Sequence, residues 1–348
     1  MNESDMDVIH SKKHLRWSLT IICLILGLIL TIIFALSIGP VDIPITTIFK
    51  ILFRFPKSWP DSYGIIVMEV RLPRILLCAL VGSALAVAGC AMQGLFKNPM
   101  ASPYILGISS GAAFGASLAI VLGISIGTGV FAIPFMAFIF ALVTIFIVYN
   151  IARAKGRVPM ETLLLAGIAV GAFFTAQVSL MKYIAGEELR SIVLWLMGGF
   201  WASSWDKVAI AFPSILLGVG AIMFFSRDLN IMLTGEEHAL DLGIKIESVK
   251  KIILIFASLV TAAAVAVSGI IGFVGLIIPH IMRIIVGPDH RILLPSSCLV
   301  GAIFLIWTDT LARTMIQPTE LPVGIITASF GAPFFLYLLR KRKRITGW

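Results

Sequence analysis

The chain has 348 residues, 59% hydrophobic and 13% charged, with a formal net charge of +9 and a mean hydropathy of +1.03. A water-soluble domain carries about 25% charged residues, so this chain cannot cover a water-facing surface and is expected to be an integral membrane protein. It lacks the alternating segments of a transmembrane β-barrel, and its long apolar runs predict an all-α fold. Residues 1–16 are polar and include Lys12, Lys13 and Arg16; residues 17–38 then run apolar. That run exceeds the about 7–15 residues of a secretory-signal core, so it reads as an uncleaved first span with its N-terminus inside. Further apolar segments follow at 65–96, 104–122, 129–151, 160–184, 206–225, 252–270, 272–287, 292–316 and 322–340.

About ten spans result, several shorter than the roughly 20 residues of a full crossing or interrupted by Gly and Pro. An even number puts both termini on the cytoplasmic side. Roughly two-thirds of the 27 Lys and Arg fall in the loops this assigns to the inside, as the positive-inside rule expects. They include Lys97, the 153–157 cluster, Arg227, Lys245, Lys250, Lys251, Arg283, Arg291 and the "RKRKR" of 340–344. The basic tail, directly after an apolar span, reads as an anchor against anionic lipid rather than a nucleic-acid patch. Cys23, Cys78, Cys90 and Cys298 lie far apart in apolar segments and read as small core residues.

An internal repeat runs through the chain. "AVAGCAMQGLFKNP" from Ala86 and "AVSGIIGFVGLIIP" from Ala266 share A-V-[A/S]-G, with a proline at the same distance beyond the glycine. The copies fall in spans separated by an odd number, so they point in opposite directions, as in inverted-repeat transporters. The first copy runs into "QGLFKNPMASPYILGISSGA", residues 93–112, where Asn98, Pro99 and Pro103 break the helix. Gly107, Ser109, Ser110, Gly111, Ala112 and Gly115 then allow close helix approach. Two readings fit this stretch: helix packing, or a breakpoint lining a translocation path.

Chemistry for catalysis is missing. There is no GxxxxGK[ST] phosphate loop, HExxH or GxSxG in the sequence. His280 reads as a polar residue near a helix end. Asp309 is the best candidate for an intramembrane carboxylate, but Arg313 at i+4 supplies an intrahelical partner. A pump built this way needs its energy from another subunit. The longest polar stretch between spans, 227–251, contains "EEHALDLG", which reads as a short helix ended by Gly243 at C′. Its apolar positions Ala239, Leu240, Leu242 and Ile244 favour a helix docked on a partner over a solvated loop. At the other side, "EVRLPR" places Arg71 and Arg74 at the start of the second span, with Pro73 in its first turn. Two cations there oppose the helix dipole; headgroup anchoring and partner binding both explain them.

The ordered set "RLPR" (71–74), "QGLFKNPMASPYILGISSGA" (93–112), "LLLAGIAVG" (163–171), "WLMGGF" (195–200), "GEEHALDLGI" (235–244), "GFVGLIIPHIMR" (272–283), "DHRILLP" (289–295) and "ELPVGIITASFGAPFFLYLL" (320–339) spans nearly the whole chain. It resembles the permease subunits of type II ABC importers for iron chelates, haem and vitamin B12. The C-terminal run is particularly similar to the vitamin B12 permease. The resemblance implies a single transmembrane permease domain over 1–348, with a cytoplasmic tail at 1–16 and a cytoplasmic coupling region at 227–251. It implies a homodimer in the cytoplasmic (inner) membrane with the path on the dimer axis, two ATPase subunits inside and a substrate-binding protein outside. ATP and Mg²⁺ would be held by the partner ATPase; this subunit would be no enzyme and need no cofactor or metal of its own. By the same resemblance Gly235, Glu236, Glu237, Ala239, Leu242 and Gly243 form the coupling helix. Asn98, Pro99 and Met100 belong to the inner gate, and Met160 and Glu161 stand where the vitamin B12 permease has small hydroxyl residues. Arg71, Arg74 and Arg313 match arginines that meet acidic residues of the binding protein. The rival reading is an ion-coupled secondary transporter, which needs acidic residues at mid-membrane.

Overall fold

The computed structural model describes residues 3–53, 61–126, 131–154, 157–316 and 318–346. Its regular elements are helical. Helix α1 (Glu3–Ser37) is followed by the short α2 (Ile45–Leu52) and α3 (Asp61–Ile65), then a π-helical turn (Ile66–Arg71) that continues as α4 (Leu72–Leu95). A 3-10 turn (Pro103–Leu106) leads into α5 (Ile108–Val121), α6 (Ala132–Ala152) and α7 (Met160–Ile184). Beyond it come α8 (Leu189–Met197), α9 (Trp205–Phe224), α10 (Ser226–Thr234), α11 (Glu236–Asp241) and α12 (Ile246–Ser268). The chain ends in α13 (Val274–Val286), α14 (His290–Ala312) and α15 (Val323–Thr346).

Seven helical stretches among the described residues are long and apolar enough to cross a membrane, and three shorter apolar helices lie at Ile108–Val121, Val274–Val286 and Val323–Tyr337. Each of the ten expected segments therefore contains a helix. Sequence reading passes over α2 and α8, both too short to span and amphipathic rather than uniformly apolar. In α2, Ile48 and Ile51 are buried while Phe49 is exposed.

The bundle is organised around α4, whose most apolar window is 78% buried, against 33% for α6 and α7. Its interior positions are small: Gly82, Ala84, Ala86, Ala88, Gly89 and Ala91. Between apolar helices in lipid there is no hydrophobic drive, so close van der Waals approach holds them together. A Cβ on Gly82 would lie 2.2 Å from the carbonyl oxygen of Gly301 in α14, and one on Gly89 1.9 Å from that of Gly275 in α13. Backbone thus packs on backbone, and neither glycine can be replaced without moving a helix. Ahead of α4, Pro73 has no N–H to offer the preceding turn. The chain widens there into π geometry, and the carbonyl of Met68 accepts from Trp205 Nε1 at 2.9 Å.

Contacts between helices carry the inverted repeat. Helix α4 packs on α12, α13 and α14, while α12 packs on α4, α5 and α6. Within each group, α5 meets α6 and α7 as α13 meets α14 and α15. Such exchange between two groups of four is what inverted repeats produce. The sequence register from Ala86 and Ala266 is corrected, however. Gly89 lies inside α4, whereas Gly269 caps α12 with φ +68°. The shared A-V-[A/S]-G marks two different local structures.

Candidate functional site

The functional candidates gather at the two ends of the bundle. At one end lie the three arginines. Arg71, Arg74 and Arg313 are 3%, 7% and 4% exposed. Arg71 donates to the carbonyls of Leu36, Ser37 and Val41, so it ties the end of α1 to the start of α4. A Cβ on Gly39 would stand 2.6 Å from Arg71 Nη2, which explains a glycine there. Arg74 grips the Asp309 carboxylate through Nε and Nη2 at 2.8–3.1 Å and reaches Glu320 at 2.9 Å with Nη1. Arg313 pairs with Asp309 at 3.6 Å and donates to the carbonyl of Ala35 and to Thr310 Oγ1.

The three arginines share one end, and most of their guanidinium donors reach carbonyls and carboxylates inside the chain, while Arg313 Nε stays 3.6 Å from Asp309, beyond hydrogen-bond distance. They brace α1, α4 and α14 against each other. What faces outward there is Glu320, whose side chain is 32% exposed, with Met315 and Ile316. The intrahelical Asp309–Arg313 pair exists as expected, and Arg74 adds a second partner that sequence spacing could not reveal.

The opposite end holds the segment expected to couple. Helix α11 is closed by a Schellman motif: Ile244 N donates to Ala239 O at 3.0 Å and Gly243 N to Leu240 O at 2.9 Å. Gly243 has φ +79°, a conformation glycine adopts without strain. Ala239 is fully buried against the chain itself, while Leu240 and Leu242 are 61% and 67% exposed. Ala239 therefore faces inward, and a partner would meet the two leucines. Gly235 enters the helix at φ +135°. Glu236 and Glu237 supply helical backbone; their side chains lie outside the described residues, as do Lys155 and the side chains of Lys12 and 341–344.

Helix α10 fastens this segment to the bundle through residues that sequence reading missed. Asn230 Nδ2 donates to Asp289 at 2.7 Å, and Asn230 Oδ1 accepts from the backbone N–H of His290 at 2.8 Å. Asp289 also caps α14, accepting from Arg291 N and from the Arg291 side chain. Burial alone would raise the Asp289 pKa, but the hydrogen bonds from Arg291 and Asn230 outweigh it and hold it well below the usual carboxylate range. The one available sequence signal was an aspartate three residues ahead of an apolar run, a helix N-cap.

The gate candidates lie at this same end. The amide of Met100 donates to Asn98 Oδ1 at 2.9 Å, closing a tight turn that starts at Lys97, φ +49°. Pro99 sits in that turn. The following 3-10 turn leans on α7: a Cβ on Gly167 would meet the carbonyl oxygen of Ile105 at 2.6 Å. Gly167 is about 10 Å along α7 from Met160, at 1.5 Å per residue. Met160 is half-buried against the core and Glu161 is exposed. Of the two readings of 93–112, packing accounts for Pro103, Leu106, Ile108 and Gly111, all buried.

Known proteins agree with this architecture. The family model described as the FecCD transport family matches residues 27–341. The chain is 49% identical over 284 residues to the cobalamin import system permease protein of Halobacterium salinarum, covering 82% of this chain and 76% of that one. It is 40% identical to the hemin transport system permease protein of Yersinia pestis, covering 93% and 98%. A solved metal-chelate type ABC transporter in an inward-facing conformation superposes with a TM-score of 0.82 at 35% identity, covering 92% of this chain and 98% of that one. A match to nine-tenths of the chain, with the helix order and packing described above, leaves one assignment: the chain belongs to the FecCD transport family.

Proposed function

We propose that the chain works as a homodimer, with both termini cytoplasmic in the inner membrane, and passes a metal chelate from an external binding protein to the cytoplasm while two partner ATPases drive the cycle. As a family member it is the permease of an ABC importer. The observation that carries the rest is α11: a capped helix, anchored on one side by buried Ala239 and presenting Leu240 and Leu242 on the other. Exposed leucines on a rigid, polar-flanked helix fit a cleft in a soluble partner.

The ion-coupled alternative has little to work with. Among the described residues the one buried carboxylate is Asp309, and two arginines neutralise it. Helix α7 supports a weakly binding path, because its exposed positions Ala169, Ala172, Ala176 and Ser179, with Leu165 and Ile168 beside them, carry no charge. Uncharged walls bind a large chelate loosely and let it go. The gate would be formed by Asn98, Pro99 and Met100 together with Met160 and Glu161, at the end where α11 lies. The binding protein would dock at the arginine end, on the surface around Glu320 rather than on the guanidinia.

A corrinoid is the cargo to test first, given the identity to the Halobacterium permease. Reconstituted in liposomes with its binding protein and ATPase, the chain should take up cyanocobalamin when ATP is present, with haem and ferric siderophores as competing cargoes. Uptake driven by an ion gradient without ATP would overturn the reading. Uptake of haem or a siderophore in place of cyanocobalamin would keep the mechanism and replace the cargo.

A further inference from the structure

We propose that the cleft between the start of α1 and the α13–α14 turn is a binding site for an anionic phospholipid. Two adjoining hollows, of about 670 and 490 Å³, share Lys13, Trp17 and Val286. Among the described residues lining them are three cations, Lys13, Arg16 and Arg291, and one carboxylate, Asp289. That imbalance attracts an anion.

Two of the cations are placed rather than loose. The Lys13 ammonium sits 4.6 Å from the Trp17 ring centroid and the Arg291 guanidinium 5.6 Å from it. Attraction to the ring face orients both. Lys13 also reaches Asp289 at 3.4 Å. A tryptophan at this depth belongs to the headgroup level of a bilayer, where its amphipathic ring is favoured.

The apolar part of the cleft selects a lipid over a free anion. Leu19 and Ile285, 52% and 66% exposed, line the hollow next to Arg16. An acyl chain would lie on them while the phosphate meets Arg16 and Lys13. Basic pockets between transmembrane helices hold anionic headgroups in this manner. The site also adjoins Asn230 and Leu233 of α10, so the lipid would brace the turn from which the coupling segment hangs. The inference needs the membrane-spanning reading alone and holds whichever cargo the permease carries.

The test measures lipid retention by the purified full-length permease in detergent, using native mass spectrometry with phosphatidylglycerol, phosphatidylcholine and inorganic phosphate as probes. Wild-type protein should retain phosphatidylglycerol in preference to phosphatidylcholine. Arg16→Gln should weaken that retention about fivefold, the effect of one basic residue near a membrane surface. Lys13→Gln should do at least as much. Lys251→Gln, an exposed cation at the same end outside the cleft, should leave it unchanged. Arg16 takes no part in the Asp289 contacts, so its variant isolates lipid binding from any loss of folding. Equal retention of both lipids, an equal loss in Lys251→Gln, or full competition by inorganic phosphate would each overturn the proposal.

Discussion

Asp309 shows how a single residue decides between two mechanisms. A carboxylate at 1% exposure in a membrane helix is a coupling-ion site when unpaired and a structural joint when paired. Here Arg74 and Arg313 take it from two helices. Removing one partner of a buried ion pair costs about 3–5 kcal/mol, because a charge is left without compensation. Asp309→Asn should therefore sharply lower the thermal unfolding temperature of the purified chain, and Glu320→Gln, at the exposed edge of the same network, should lower it much less. A folded Asp309→Asn variant of wild-type stability would remove the brace. Asp289 makes a second, pH-dependent prediction. Its pKa in the folded chain lies below its unfolded value, so its contribution is complete above the unfolded value of about 4 and is lost as pH falls through the folded one. Hydrogen exchange of α10 amides should stay slow from pH 7 down to about 4 in the wild type. In Asp289→Asn those amides should exchange faster throughout, apart from the ordinary chemical pH trend. Equal protection in both proteins would show that α10 is held by something else.

At the scale of the element, α11 separates packing from partner contact within a few residues. Ala239 faces the chain and Leu240 faces away, so similar charged substitutions should have opposite kinds of effect. Ala239→Arg forces a charge into a filled site and should reduce the yield of folded protein. Leu240→Arg with Leu242→Arg should leave folding and membrane insertion unchanged while lowering ATP-driven uptake several-fold. Normal uptake in the double leucine variant would make α11 a solvated turn. This helix was legible in the sequence because Gly243 and the apolar positions are local signals. Which positions point inward was not legible, since that depends on α10 and α12 packing beside it. The partners of the arginines were not legible either, because the carbonyls of 36–41 and the carboxylates of Asp309 and Glu320 come from distant parts of the chain. Helix α4 was legible as a span from its apolarity, while its central place rests on glycine contacts that no local pattern announces.

The whole molecule has two chemically different ends joined by long helices. Helix α14 carries the Asp289 cap and Asn230 contact at its start and Asp309 near its finish, about 30 Å apart at 1.5 Å per residue, the thickness of the hydrocarbon core. Helix α1 runs the same distance beside it, from Lys13 at Asp289 to Ala35 at Arg313. These contacts fix which residues share a side of the membrane, whichever side that is. The α11 end holds Lys13, Arg227, Lys245, Lys251 and Arg291, and at the other end Arg74 and Arg313 are paired with carboxylates of the chain. By the positive-inside rule, the proposed orientation puts this end in the cytoplasm. Single cysteines test this directly, in a background where Cys23, Cys78, Cys90 and Cys298 are replaced by serine or alanine. A cysteine at position 240 should react with a membrane-impermeant thiol reagent only after the cells are opened, and one at position 320 should react in intact cells whose outer face is accessible. If both label from the same side, the two ends do not face opposite compartments and the span assignment fails. If the pattern is reversed, the bundle stands but its orientation, and with it the assignment of α11 to a cytoplasmic ATPase, falls.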